Sequence, residues 1–131
     1  RIAALNLEHH VHMLGLRSDV SNLLASFDIF MLPTHQEALG TAFIEAGAMG
    51  LPSVGTNVDG VPEVVRDGET GILVPPQDGA ALIEPLCRLL ADAELRRRMG
   101  TAASRLVRQY FSVASMAIGM ESVYRRLLLQ R

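Results

Sequence analysis

Tryptophan is absent from this sequence and aromatic residues make up only 5% of it, so a row of stacking platforms for nucleic-acid bases is excluded. Charge offers no substitute, because 14 acidic residues face 12 basic ones and no strong positive field is left to attract a polyanion. A single cysteine, Cys87, rules out an internal disulfide. Its setting in Leu86-Cys87-Arg88-Leu89-Leu90 reads as a small buried apolar residue of a helix, not a nucleophile. No apolar run approaches the roughly 20 residues needed to span a bilayer. No signal-peptide pattern opens the chain either, so the expected location is the cytoplasm. An initiator Met is also missing, and Arg1 to Glu8 reads as the tail of a helix already under way, so an excerpt from a longer protein is expected. What remains is an ordinary globular composition, 49% apolar and 20% charged, over a length that suits one domain with a sizeable core.

Short apolar runs alternate with longer helical patterns, which is the signature of βαβ units on a parallel sheet. Val11–Leu14 reads as a short strand ended by Gly15. Asp19–Phe27 follows with Val20, Leu23, Leu24 and Phe27 at helical spacing, and Ser18 stands before it as an N-cap. Ile29–Leu32 is a continuous apolar strand stopped by Pro33, and continuous apolarity implies cover on both faces. Thr41–Met49 is the next helix, with Ala42, Ala46 and Met49 on its inward stripe. Leu51–Thr56 reads as a strand, Val61–Val65 as a short helix, Asp67-Gly68 as a turn and Gly71–Val74 as the last strand, ended by Pro75-Pro76. From Asp78 onward, about 78–131, the chain reads as all helix. Asp78 caps a segment carrying Leu82, Leu86, Leu89 and Leu90, whose start Pro85 delays or kinks. A second helix runs over Ala93–Tyr110, and Ser112 caps a third that reaches Leu129.

The chemistry concentrates between Pro33 and Pro52. A strand ends at Pro33, a short polar loop follows, and a helix opens near Gly40-Thr41. Open α/β sheets take ligands at the carboxyl ends of their strands. A helix N-terminus there offers unpaired N–H groups and partial positive charge to a phosphate, and Gly40 puts no side chain in the way. Two carboxylates flank the position. Glu37 lies in the loop, and Glu45 lies one turn into the helix on the face of Thr41, roughly 6 Å along the axis. That offset is about the distance between a diphosphate and its ribose, and a carboxylate can accept from both vicinal ribose hydroxyls.

Glu37 and Glu45 together make the E-x7-E pattern of GT-B retaining glycosyltransferases, and the chain resembles family 4 of these enzymes. The resemblance continues in order through His12-Met13-Leu14-Gly15, Asp28 to Thr34, Gly50 to Val54, Gly60 to Val65, Asp67 to Pro76 and Tyr110-Phe111-Ser112. It implies a Rossmann-like parallel sheet with flanking helices, namely the C-terminal, donor-binding half of a GT-B fold spread over residues 1–131 and truncated at its N-terminus. It further implies transfer of a sugar from a nucleoside diphosphate to an acceptor with retained configuration. By resemblance Glu37 is the catalytic residue, touching hydroxyls of the donor sugar and stabilising its developing positive charge. The amides of Ala38, Leu39, Gly40 and Thr41 hold the sugar and distal phosphate, Glu45 grips the ribose, and Gly15 and Leu16 face the base. No metal or other cofactor is implied.

The family places Gly and an aromatic residue after the first Glu, where this chain has Ala38 and Leu39, and Ala38 narrows the sugar pocket. It also places an Arg/Lys pair, two mid-sheet strands and an N-terminal acceptor domain ahead of residue 1. A lone segment without them is expected to bind donor weakly and to be inactive. The expected partners are therefore a nucleotide sugar and that N-terminal domain, with no nucleic acid and with peripheral contact to the inner membrane in the full-length protein. The remaining polar clusters have plainer readings. His9, His10 and His12 read as a solvated helix end plus one strand side chain and not as a metal site, His35 has no catalytic partner, and Arg96 to Arg98 read as a solvated helix face. The terminal Arg125-Arg126 and three Leu read as a surface packed on the absent domain. The rival readings are half of a nucleotide-sugar epimerase, or a non-catalytic α/β module of receiver type. A receiver predicts acidic residues at the end of the first strand, where Leu14-Gly15-Leu16 stands instead.

Overall fold

The computed structural model describes residues 1–129, so the last two positions of the expected helical end lie outside the described residues. Three parallel strands form the sheet in the order β1 (Phe30–Leu32), β2 (Ser53–Thr56) and β3 (Gly71–Val74). Phe30 pairs with Ser53, and Ser53 in turn with Gly71, so one row of residues crosses all three strands. Before the sheet stand a 3-10 turn at Ala3–Leu5 and a short helix α1 (Val20–Leu24). Helix α2 (Thr41–Ala48) crosses from β1 to β2, and α3 (Val61–Val64) from β2 to β3. Three helices end the chain: α4 (Ile83–Ala91), α5 (Ala93–Tyr110) and α6 (Val113–Leu128).

Helices cover the sheet from both sides. On one side Phe43 of α2 and Val61, Val64 and Val65 bury themselves against Phe30, Leu32 and Leu73. On the other, Val54 packs with Leu89, Leu95 and Met99 of α4 and α5, joined by Ile29 and Ile72. Burial on this second side fades toward the edge. Val54 is fully buried, whereas its neighbour in register on β1, Met31, is 43% exposed. The expectation that the Ile29–Leu32 strand is covered on both faces is corrected, because the cover from α4 and α5 does not extend over Met31.

Other expectations change for local reasons. Val11–Leu14 forms no strand and leaves Met13 82% exposed, since no described strand lies beside it to satisfy its backbone. The helix expected over Asp19–Phe27 shortens to α1, and its N-cap residue is Asp19, not Ser18. Asp19 caps nothing with its side chain, because both carboxylate oxygens are held by the Arg17 guanidinium at 2.7 and 2.6 Å. The inward residues of α2 are Phe43, Ala46 and Gly47, while Met49 lies exposed at its C-cap. Gly50 follows in the left-handed region with φ 76°, and Leu51 N–H donates to the Ala46 carbonyl, which closes α2 in a Schellman turn. Cys87 is exposed, not buried, because α4 turns Pro85 and Leu89 inward and Cys87 sits midway between them on the opposite side. Arg96 is no free solvated charge either. Its guanidinium donates to the Leu89 and Leu90 carbonyls at 2.6 and 3.0 Å and so closes the end of α4. Asp78, Asp92 and Ser112 accept from backbone N–H groups at the starts of the helical segments that follow them.

Candidate functional site

The loop from Pro33 to Gly40 leaves the carboxyl end of β1 and delivers the chain into α2. Its first part is tied down by hydroxyls: buried Thr56 donates to the Thr34 carbonyl, and Thr34 donates to the Gln36 carbonyl at 2.8 Å. The turn into the helix needs Gly40, whose φ of 78° lies in the left-handed region. From there the Gly40 carbonyl accepts from Phe43 and Ile44 and starts the helical ladder. Glu37 is half-buried, and its Oε1 accepts from the Gly40 N–H at 3.0 Å. That bond folds the carboxylate over the mouth of the helix and engages one of the N–H groups expected to face a ligand. Among the described residues no acceptor takes the N–H groups of Ala38, Leu39, Thr41 or Ala42. Four backbone donors therefore stand open at the N-terminus of α2.

A second loop braces the first. Glu37 N–H donates to the Asp59 carboxylate at 3.1 Å, and Gly60 N–H donates to the Glu37 carbonyl at 3.0 Å. Gly60 approaches so closely that a Cβ there would stand 2.3 Å from the Ala38 carbonyl oxygen. Asp59 was not singled out by sequence reasoning. The contact spans 22 positions, and the only local signal was an Asp-Gly pair of the kind that marks turns.

Glu45 is exposed and faces a separate groove of about 460 Å³, lined also by Ser18, Val20, Ser21, Leu24, Ala48 and Met49. The two carboxylates thus bracket α2 at its loop and on its flank. Gly15 and Leu16 do not line that groove; Gly15 turns with φ 65° in open space and Leu16 is fully exposed. His35 lines a cavity of about 310 Å³ on the other side of the loop, with Thr34, Thr56 and Gln77 to Gly79. A larger groove, about 550 Å³, lies among Arg97, Thr101, Ser104, Arg105 and Arg108 beside Gly50. It is at the far end of α2 from the loop and holds neither carboxylate, so size does not mark the site here. Among the described residues no three His, Cys, Asp or Glu side chains converge as metal ligands. No described helix is long and apolar enough to cross a membrane.

A parallel sheet with a polar loop and an open helix N-terminus at its carboxyl edge defines the class of α/β domains that receive ligands at that edge. Comparison with known proteins makes the assignment specific. The chain belongs to the glycosyl transferases group 1 family, whose model matches residues 1–106. It is 36% identical over 120 residues to N-acetyl-alpha-D-glucosaminyl L-malate synthase of Bacillus anthracis, covering 92% of this chain and 32% of that protein. It is 41% identical over 97 residues to D-inositol 3-phosphate glycosyltransferase of Corynebacterium efficiens, covering 74% of this chain and 23% of that one. Among solved structures, sucrose-phosphate synthase of Thermosynechococcus elongatus superposes with a TM-score of 0.86 at 31% identity, over 99% of this chain and 33% of that one. Anabaena HepE in complex with UDP superposes with a TM-score of 0.89 at 26% identity, over 95% and 35% of the two chains. The fold is accordingly the α/β fold of GT-B glycosyltransferases, and neither the epimerase nor the receiver-type reading is favoured. The chain spans between about a fifth and a third of the length of these curated relatives.

Proposed function

We propose that this chain is the donor-binding part of a retaining glycosyltransferase of family 4 type, which moves a hexosyl group from a nucleoside diphosphate to an acceptor. The observation that carries the reading is the cluster of open N–H groups at the N-terminus of α2, bracketed by Glu37 and Glu45. When the bond from the sugar to the distal phosphate breaks, negative charge grows on the leaving diphosphate and positive charge on the sugar. Open backbone donors and the positive end of α2 suit the first, and the carboxylate of Glu37 suits the second. In the free chain only Oε1 of Glu37 is engaged, on Gly40, which leaves Oε2 for hydroxyls of the donor sugar. The amides of Ala38, Leu39 and Thr41 then serve the sugar and distal phosphate, and Gly40 serves by its lack of a side chain. Glu45, on the groove beside α1, accepts from the ribose hydroxyls, while the Gly15-Leu16 turn, which does not line that groove, is assigned to face the base. HepE, a structural neighbour, was solved with UDP-glucose, which supports a donor of this kind. No metal is assigned a role, and the acceptor is assigned to the part of the relatives' length that this chain does not span.

Titrating the chain with uridine, guanosine and adenosine diphosphate sugars while following backbone amide resonances tests the reading. One of the three is expected to shift Ala38 to Ala42. Glu45→Ala should weaken it roughly tenfold or more, the value of a hydrogen bond to a charged group. Three donors that leave those amides unmoved at millimolar concentration would sink the assignment.

A further inference from the structure

We propose that Asp59 is a positioning residue, which holds the Glu37 loop in the shape that receives the donor; this rests on the reading given under Proposed function. Asp59 lies between β2 and α3 with φ 43°, in the left-handed region where glycine is least strained and aspartate is tolerated. A side chain at such a position can offer an acceptor, which glycine cannot. Here it does so: a carboxylate oxygen accepts from the Glu37 N–H at 3.1 Å, while the next residue, Gly60, donates to the Glu37 carbonyl at 3.0 Å. The same short segment thus grips Glu37 by its N–H and its C=O. Gly60 is buried, and the next residue, Val61, is fully buried in the core with Phe43, so the grip is anchored to the body of the domain. With both main-chain groups held and Oε1 on Gly40, Glu37 retains one unengaged polar atom, Oε2. Asp59 also settles which amides remain for a ligand. By taking the Glu37 N–H it removes that donor from the site and leaves the open row beginning at Ala38.

A purely structural role and a positioning role differ in what two substitutions do. Asp59→Gly removes the acceptor but relieves the left-handed strain, so the melting temperature is expected to stay level or rise. The Glu37 amide should nevertheless exchange with solvent at least about fivefold faster, and the bound nucleotide sugar should weaken by about fivefold, as for loss of one ordinary hydrogen bond. Asp59→Asn keeps a carbonyl acceptor and tolerates the backbone, so it is expected to match the parent in all three measurements. The proposal is overturned if Asp59→Gly binds donor as the parent does, or if affinity falls only in step with melting temperature. Should the parent bind none of the uridine, guanosine or adenosine diphosphate sugars, the donor-site reading falls. The exchange measurement then decides the clamp alone: acceleration in Asp59→Gly with recovery in Asp59→Asn supports it, and unchanged exchange overturns it.

Discussion

Helices α5 and α6 are nearly matched in length, at 18 and 16 residues, and each is capped by a side chain that accepts from a backbone N–H in its first turn. Their surroundings differ completely. Helix α5 buries Leu95, Met99, Gly100, Ala103, Leu106 and Val107, partly against α2 and partly against the sheet. No described residue of α6 is buried, and Met116, Ile118, Tyr124, Leu127 and Leu128 are all more than half exposed. Capping and propensity are enough to write a helix into a sequence, but burial of an apolar face is what makes that helix part of a fold. In this domain the buried clusters join the sheet with α1 to α5, and α6 extends from them.

The two helices should differ most in what the same truncation, made in each, costs. Met99→Ala removes a fully buried side chain that touches Val54 and Leu89, and should cost about 2–5 kcal/mol in a urea titration. The proposed donor site should feel that loss, because α2 rests on α5 and carries the open N–H groups at its far end. A loss near zero for Met99→Ala would mean that the core drawn around Val54 is not the core in solution.

Caps give a smaller test of the same difference. Asp92 accepts from the Leu95 N–H at 2.8 Å, and Asp92→Ala should lower global stability by about 1 kcal/mol. Ser112 accepts from the Ser115 N–H at 3.1 Å, and its loss should be felt locally. Ser112→Ala is expected to reduce helical ellipticity while leaving the denaturation midpoint of the domain in place, since α6 contributes little to the cooperative unit. Equal shifts in midpoint for both variants would show that α6 melts with the rest.

How much could be read in advance follows from the same distinction. The bounds of α5, Ala93–Tyr110, and of β3, Gly71–Val74, were legible because local signals mark them: Ser112 beyond the helix, the Asp67-Gly68 turn and Pro75-Pro76 around the strand. Val11–Leu14 carries an equally apolar run, yet a strand exists only with a neighbour, and no sequence window contains the neighbour. The Glu37–Gly40 turn and its helix were visible as a loop, a glycine and a spacing of carboxylates. That the Gly40 N–H would be taken by Glu37 was not, and neither was the brace from Asp59 and Gly60, because those bonds depend on where β2 sets its following loop beside that of β1. Cys87 was placed inward on its apolar setting, and Met49 on its helical spacing from Ala42 and Ala46. Which face of α4 or α2 turns inward is decided by the neighbouring elements, and these turned Pro85 and Leu89, or Phe43 and Gly47 beside the expected Ala46, toward the core.

The smallest expected effect is also the one most able to undo the comparison. Met120→Ala makes in α6 the same change as Met99→Ala in α5, but Met120 is 49% exposed and lines only a shallow apolar groove with Met116, Gly119, Val123 and Tyr124. Truncation there leaves no enclosed cavity, so the change in unfolding free energy should stay within about 0.5 kcal/mol. Alanine is moreover the better helix former, which tends to offset the small loss of apolar cover. A cost approaching that of Met99→Ala would mean that the apolar side of α6 is covered in solution. The line drawn between the two helices would then have to move to include α6 in the core.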